Sequence, residues 1–370
     1  MTTASSTRRL FGIASLITAA ALVLAACSSS NSTAAPKSSG SSSDGGIPDT
    51  PVSLTFAGYG GAGQDGQIEA WQKPYTAAHP NVTFNNTSPA AVSTVQAQVL
   101  AGNIQWDVMM VAPFAAEQNC GTVFAPLKVN LDPKDFIPGT IGKCYVGNFG
   151  NAPILAYNKK DFPDPATAPK SIADYFDTKK FPGKRGVVSD LQDGMLEYPL
   201  LADGVKPKDL YSIDNVGKAL TKWDTIKSDT IFAANVGVLQ QDVASNQVSM
   251  FILVSSRLLS LEDSGMQLQP IWDTTVVPMN GFAVPKGDKH LDVIENFIEA
   301  SVQPGPAAKI AELDGVIPIN LNAKPDLSKS AALFNPYDKS HGGTIVPQDN
   351  DWLAKNNNQA TQQMTTWLQG

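Results

Sequence analysis

Three carboxylates fall within eight residues, at Asp190, Asp193 and Glu197, between a stretch that reads as a strand and one that reads as a helix. Asp193 and Glu197 are four apart and would share a helix face. Such a group either receives an ammonium ion or, at Asp190, simply caps the helix. General acid–base chemistry would also need a nucleophile. The chain holds no GxSxG, HExxH or Ser-x-x-Lys box, so no enzyme is expected. A second candidate is Gly58-Tyr59-Gly60-Gly61-Ala62-Gly63, which satisfies GxGxxG behind an expected strand. A dinucleotide site would place an acid at the end of the next strand, where Asn85 and Asn86 stand, so no cofactor is expected. The turn either offers backbone N–H groups to another ligand, with Tyr59 as a flat wall, or is a bare tight turn. A third is Ser255-Ser256-Arg257 at the end of an apolar stretch, where open α/β sheets bind ligands. Arg257 either forks onto a ligand carboxylate or pairs with an internal acid. Trp272 either stacks on a ligand or packs. Lys184 and Arg185 read as a solvated turn. His79, His290 and His341 are scattered and no Cys/His cluster exists, so no metal site is expected.

The elements that must carry these residues are legible from periodicity. Residues 52–57 alternate and end in glycines, 82–84 form a second strand, and 107–111 form an apolar run typical of a strand covered on both faces. Helices are expected between them, over 66–78, where Ile68, Trp71 and Tyr75 recur at helical spacing, and over 92–100. This β-α-β-α-β order predicts an α/β domain. Further on, strands are expected at 183–189, 247–254 and 281–285. Helices are expected at 171–176, 196–203, 216–226, 290–302 and 351–368, the last anchored by Trp352 and Trp367.

The N-terminus fixes the compartment. Arg8 and Arg9 precede an apolar stretch that closes on Leu24-Ala25-Ala26-Cys27, followed by a Ser/Gly-rich segment. This is the layout of a bacterial lipoprotein signal. The stretch 10–26 is short for a span of roughly 20 residues. Thr7-Arg8-Arg9-Leu10-Phe11 fits either a twin-arginine signal or an ordinary charged leader. Residues 1–26 read as signal peptide, Cys27 as the lipidated residue, and 27–49 as a flexible tether. Losing Arg8 and Arg9 takes the formal charge from −7 to −9, which argues against a nucleic-acid partner. Cys120 and Cys144 are the remaining thiols. In an exported chain they favour one disulfide, worth roughly 3 kcal/mol for a loop of about 25 residues. Free buried thiols are the other reading.

Several stretches resemble bacterial extracellular solute-binding proteins of the spermidine/putrescine type, which serve ABC importers. They are Tyr59-Gly60-Gly61-Ala62-Gly63-Gln64-Asp65, Phe181-Pro182-Gly183-Lys184-Arg185, Leu196-Glu197 with Leu200-Leu201-Ala202-Asp203-Gly204-Val205, Leu210-Tyr211, Lys222-Trp223-Asp224-Thr225-Ile226-Lys227 and Ala283-Val284-Pro285-Lys286-Gly287. Their order and spacing match along most of 52–368. The resemblance implies a hinged, two-lobed α/β fold of the type II periplasmic-binding-protein kind, with ligand in the interlobe cleft. Lobe 1 would be 50–157 with 281–321, and lobe 2 would be 158–280 with 322–370. The chain would cross near Asn158, Asn280 and Leu321. It also implies a monomer that delivers a small amine-bearing solute to a membrane permease from its lipid anchor at the cell membrane. Tyr59, Gly60, Gly61 and Gln64 would line one wall. Asp190 and Asp193 would take positive charge, Ser255, Ser256 and Arg257 polar or negative groups, and Trp272 and Asn280 would sit near the hinge. Val254-Ser255-Ser256 and Pro278-Met279-Asn280 lack the aromatic residues and the acid typical of polyamine sites. Arg257 would repel a polycation. A zwitterion, opine-like or amino-acid-like, therefore fits as well as a polyamine.

Overall fold

The computed structural model describes residue 47 and residues 49–370. The signal segment, Cys27 and almost all of the expected tether lie outside the described residues. Among the described residues, no helix is long and apolar enough to cross a membrane.

Thirteen strands run through the described chain: β1 (Val52–Ala57), β2 (Val82–Thr87), β3 (Val108–Val111), β4 (Val146–Gly150), β5 (Pro153–Asn158), β6 (Arg185–Val188) and β7 (Thr230–Ala233), then β8 (Met250–Val254), β9 (Leu268–Pro270), β10 (Thr274–Val277), β11 (Met279–Ala283), β12 (Ile317–Pro318) and β13 (Thr344–Pro347). They form two main sheets, β12-β4-β11-β3-β1-β2 and β7-β6-β8-β5-β9, and a small pair, β10-β13. Both main sheets are mixed. β1 runs parallel to β2 and β3, whereas β11 runs antiparallel to β3 and β4. β6 runs parallel to β7 and β8, whereas β5 runs antiparallel to β8.

The apolar strand sequences follow from two-sided cover. In β8 every residue is buried. Met250 and Ile252 join Leu155 and Tyr157 in one core, while Phe251 and Leu253 join Ile154 and Ala156 in another. This is the period-two alternation of a strand sandwiched between helical layers. β3 divides in the same way, Val108 and Met110 to one side and Met109 and Val111 to the other. The helical stretch after β1 begins at Gly61, five residues before the expected start, and carries a π-helical turn at Ile68–Gln72.

Sheet membership corrects the expected lobe boundaries. β4 lies in the first sheet and β5 in the second, so the first passage is at Asn151–Ala152 rather than near Asn158. The second falls at Pro278, between β10 and β11, close to the expected Asn280. After β12 the chain still leans on the first lobe, through Leu321 N–H to the Asp135 carbonyl at 2.7 Å and Asp326 N–H to Glu312 at 3.1 Å. It reaches the second lobe's core at Ala331, beyond the expected crossing at Leu321.

Cys120 and Cys144 are joined as a disulfide, with Cα atoms 5.5 Å apart. The solvated turn expected at Lys184–Arg185 is half right. Lys184 is exposed, but Arg185 is fully buried. Its guanidinium donates to the carbonyls of Tyr175 and Asp177 (2.8 and 3.3 Å) and of Phe181 and Gly183 (both 2.7 Å). One strand-end cation thus gathers a loop and supplies donors to the buried carbonyls of Tyr175 and Phe181.

Candidate functional site

Both lobes present the carboxyl ends of parallel strands, the usual place for a ligand in α/β sheets. Behind β6 the chain makes a tight turn over residues 190–196 and enters the helix Glu197–Ala202. Asp190 accepts the backbone N–H of Asp193 at 2.8 Å, so it closes that turn rather than capping the helix. Gly194 has φ +94°, and a Cβ there would lie 2.4 Å from the Tyr198 ring. Only glycine meets both conditions. The Tyr198 hydroxyl donates to the Pro153 carbonyl, and Trp223 Nε1 donates to the Met195 carbonyl at 2.9 Å. The turn is therefore bolted to the hinge strand on one side and to a helix on the other.

The three acids are brought together. Asp193 and Glu197 are buried, and Glu197 is fully so. Burial raises all three carboxyl pKa values, and at Asp193 the neighbouring Asp190 and Glu197 raise it further. No lysine, arginine or histidine forms an ion pair with them among the described residues. Glu197 Oε1 accepts from the Tyr211 hydroxyl at 2.8 Å and from Gln348 Nε2 at 3.2 Å, whereas Oε2 is buried without a partner. A buried acid cluster with no internal cation favours an incoming one.

Tyr59 is 50% exposed, yet desolvation lifts its hydroxyl well above the ordinary range. Gly60 and Gly61 take φ +79° and +64°. Gln64, expected on the ligand wall, is engaged inside the fold. Its Oε1 accepts the Gly60 N–H at 2.8 Å, and its Nε2 donates to Asn86 Oδ1 and the Thr87 carbonyl, both at 3.2 Å.

Ser255 and Ser256 are likewise engaged. Ser255 is fully buried, with its hydroxyl 3.2 Å from Asn151 Oδ1 and 3.1 Å from the Gly315 carbonyl. Asn151 Nδ2 donates to Ser256 Oγ at 3.1 Å. Because Asn151 lies at the first passage, these serines tie the hinge. Arg257 is exposed and acts on an internal acid: its charge lowers Asp314, while burial and Asp65 push that carboxyl up to about 7. Trp272 stacks on His341, 4.4 Å between centroids and 9° between planes. Asn280 pairs with Phe149 beside a register shift in β11.

Tyr145 and Gln348 carry no signal in the sequence, and Tyr211 enters there only within the Leu210-Tyr211 stretch, with no role assigned to it. They line a cavity of about 510 Å³ between Pro138 and Gly139 of the first lobe and Pro207 of the second. The Tyr145 hydroxyl donates to the Gly139 carbonyl at 2.7 Å. Burial first, then Glu117 and Asp351, push its pKa up to about 12. Asp349 and Asp351 also border this space.

Residues 70–335 match the family described as bacterial extracellular solute-binding protein. The chain belongs to that family. This solute-binding protein is 28% identical over 325 residues to a gamma-aminobutyric acid-binding protein of Pseudomonas aeruginosa, covering 82% of this chain and 91% of that one. Its structure resembles the Atu4243 GABA receptor at TM-score 0.76 and 28% identity, covering 85% and 97% of the two chains. It also resembles AgtB of A. tumefaciens R10, solved with agropinic acid, at TM-score 0.70 and 26% identity, covering 86% and 99%. The two lobes are those of the type II periplasmic-binding-protein fold. These relatives are named as binding proteins or receptors, not as enzymes.

Proposed function

We propose that this solute-binding protein of an ABC importer captures a small amino compound of the γ-aminobutyrate kind. Its ammonium group would dock at Asp190, Asp193 and Glu197. The observation that carries the reading is the buried carboxylate cluster with no basic partner among the described residues. Relatives that bind GABA or agropinic acid support an amino-acid-like solute over a sugar or a bare anion. Tyr59 and the Gly60-Gly61 turn would form the facing wall. Arg257 is exposed and its charge lowers Asp314; it would either serve that acid or take the ligand's carboxylate. Cys27 would carry the lipid that holds the receptor beside its permease at the cell surface, with the tether raising local concentration for docking.

A diamine is the second reading, favoured by Asp349 and Asp351 at the cavity edge. Calorimetry with γ-aminobutyrate, putrescine and spermidine separates the two. Tight binding of γ-aminobutyrate alone supports the first, and tight binding of putrescine or spermidine supports the second. Thermal stabilisation by a sugar or a metal chelate, with none by any amine, refutes both. At a hundredfold excess over Kd the stabilisation is about 2.7 kcal/mol.

A further inference from the structure

We propose that Tyr211 and Gln348 are positioning residues, which grip Glu197 by Oε1 and keep Oε2 for an N–H donor of the ligand. The inference rests on the reading that an ammonium group docks at the carboxylate cluster. It extends that reading to a segment outside the family match, since Gln348 lies beyond residue 335.

The geometry is one-sided. Both donors reach the same oxygen, at 2.8 and 3.2 Å, and the other oxygen has none although the residue is fully buried. The second N–H of the Gln348 amide goes to the Leu191 carbonyl at 3.1 Å. One amide therefore ties Leu191 and Glu197, the two flanks of the carboxylate turn. Neither donor is loose. Gln348 is buried directly behind β13, its backbone N–H directed at the Val277 carbonyl. Tyr211 packs its ring 5.7 Å from Trp352 and precedes a helix capped by Ser212. Two locked donors on one oxygen fix both the plane of the carboxylate and the direction of its unused lone pairs.

The consequence is a rule about substrates. A buried acceptor that must be met by an N–H discriminates strongly against a ligand that lacks one. A primary ammonium satisfies Oε2. A trimethylammonium offers no donor, and the site as described supplies acceptors rather than the aromatic cage that quaternary ammonium groups use. The two donors also favour the charged form of Glu197 against the burial that disfavours it. They thus set the pH above which Glu197 is ready for a cation.

The test uses the full chain with Tyr211→Phe and Gln348→Leu, with Asp193→Asn as the control for the underlying reading. The Glu197 carboxyl is titrated by carbon-13 NMR without ligand, and γ-aminobutyrate and its N-trimethyl analogue are titrated calorimetrically across pH. We expect each variant to raise the Glu197 midpoint by about one pH unit. The onset of γ-aminobutyrate binding should rise with it, and the trimethyl analogue should bind at least about 100-fold more weakly than γ-aminobutyrate to the unaltered protein. An unchanged Glu197 midpoint in both variants overturns the positioning role, as does equal affinity for the two ligands. If Asp193→Asn leaves amine affinity intact, the amine reading itself fails. If it weakens binding while the two variants keep the original midpoint, only the positioning role fails.

Discussion

Replacing Asp193 by Asn should move binding and stability in opposite directions. The side chain is 8% exposed, and burial, Asp190 and Glu197 all raise its pKa. An unfolded aspartate titrates near 3.9. Where the folded pKa lies above the unfolded one, the folded state binds the extra proton, so stability falls as pH climbs from about 4 to the folded value. Each pH unit within that window costs about 1.4 kcal/mol. Asparagine keeps the shape and a hydrogen-bonding edge without that cost. Asp193→Asn should therefore match the unaltered protein near pH 4 and be the more stable of the two at pH 8. Ligand capture runs the other way. Losing a hydrogen bond between an ammonium and a charged acceptor costs about 1.5–3 kcal/mol, or about 10- to 150-fold in Kd. Urea denaturation at both pH values and calorimetry with γ-aminobutyrate would read the two effects. A variant that is less stable at pH 8, or that binds the amine as tightly as before, would refute the account of Asp193 as a buried acid without a basic partner, awaiting a cation.

Four further outcomes follow from charges placed outside the carboxylate cluster. Asp314 should titrate at about 7 by carboxyl NMR, and Arg257→Ala should move its midpoint higher, because Arg257 supplies the charge that lowers it; an ordinary midpoint near 4 would sink the assignment. Since its folded pKa is the raised one, Asp314→Asn should stabilise the protein above pH 7 and leave it unchanged below pH 4. Arg185→Met should lower stability by roughly 3 kcal/mol, since the buried carbonyls of Tyr175 and Phe181 lose their donor and those of Asp177 and Gly183 lose a part-buried one. A urea midpoint within error of the parent would show that water replaces the guanidinium there.

The fold was more legible than the site because its signals are local. The stretch 92–100 reads as a helix and is one, at Val92–Leu100. The apolar runs near 108 and 250 read as strands and sit inside two sheets. The boundaries between lobes were less legible, since a polar pair such as Asn151–Ala152 looks like any loop. Its role depends on which sheet each flanking strand joins, and periodicity carries no such information. Arg185 was misread for the same reason. A lysine–arginine pair in a Pro-Gly turn looks solvated, and only the folded loop shows four carbonyls converging on one guanidinium.

The site residues separate on a finer criterion than position. Gln64, Ser255 and Ser256 stand where strand ends should meet a ligand, but their polar atoms are consumed in holding the Gly60 turn and the hinge at Asn151. Asp193 and Glu197 stand behind β6, in the same sheet as Ser255 and Ser256 but in the other lobe from Gln64; burial disfavours their charged forms, no basic side chain pairs with them, and one Glu197 oxygen has no donor. On the proposed reading, a donor from outside the chain completes that oxygen. The residues that make Glu197 incomplete in this way, Tyr211 and Gln348, lie 14 and 151 positions away. No motif spanning residues 190–197 could have revealed them. On the proposed reading, the site's chemistry is set by which acceptors the fold leaves over, and that remainder is a property of the tertiary structure rather than of any segment.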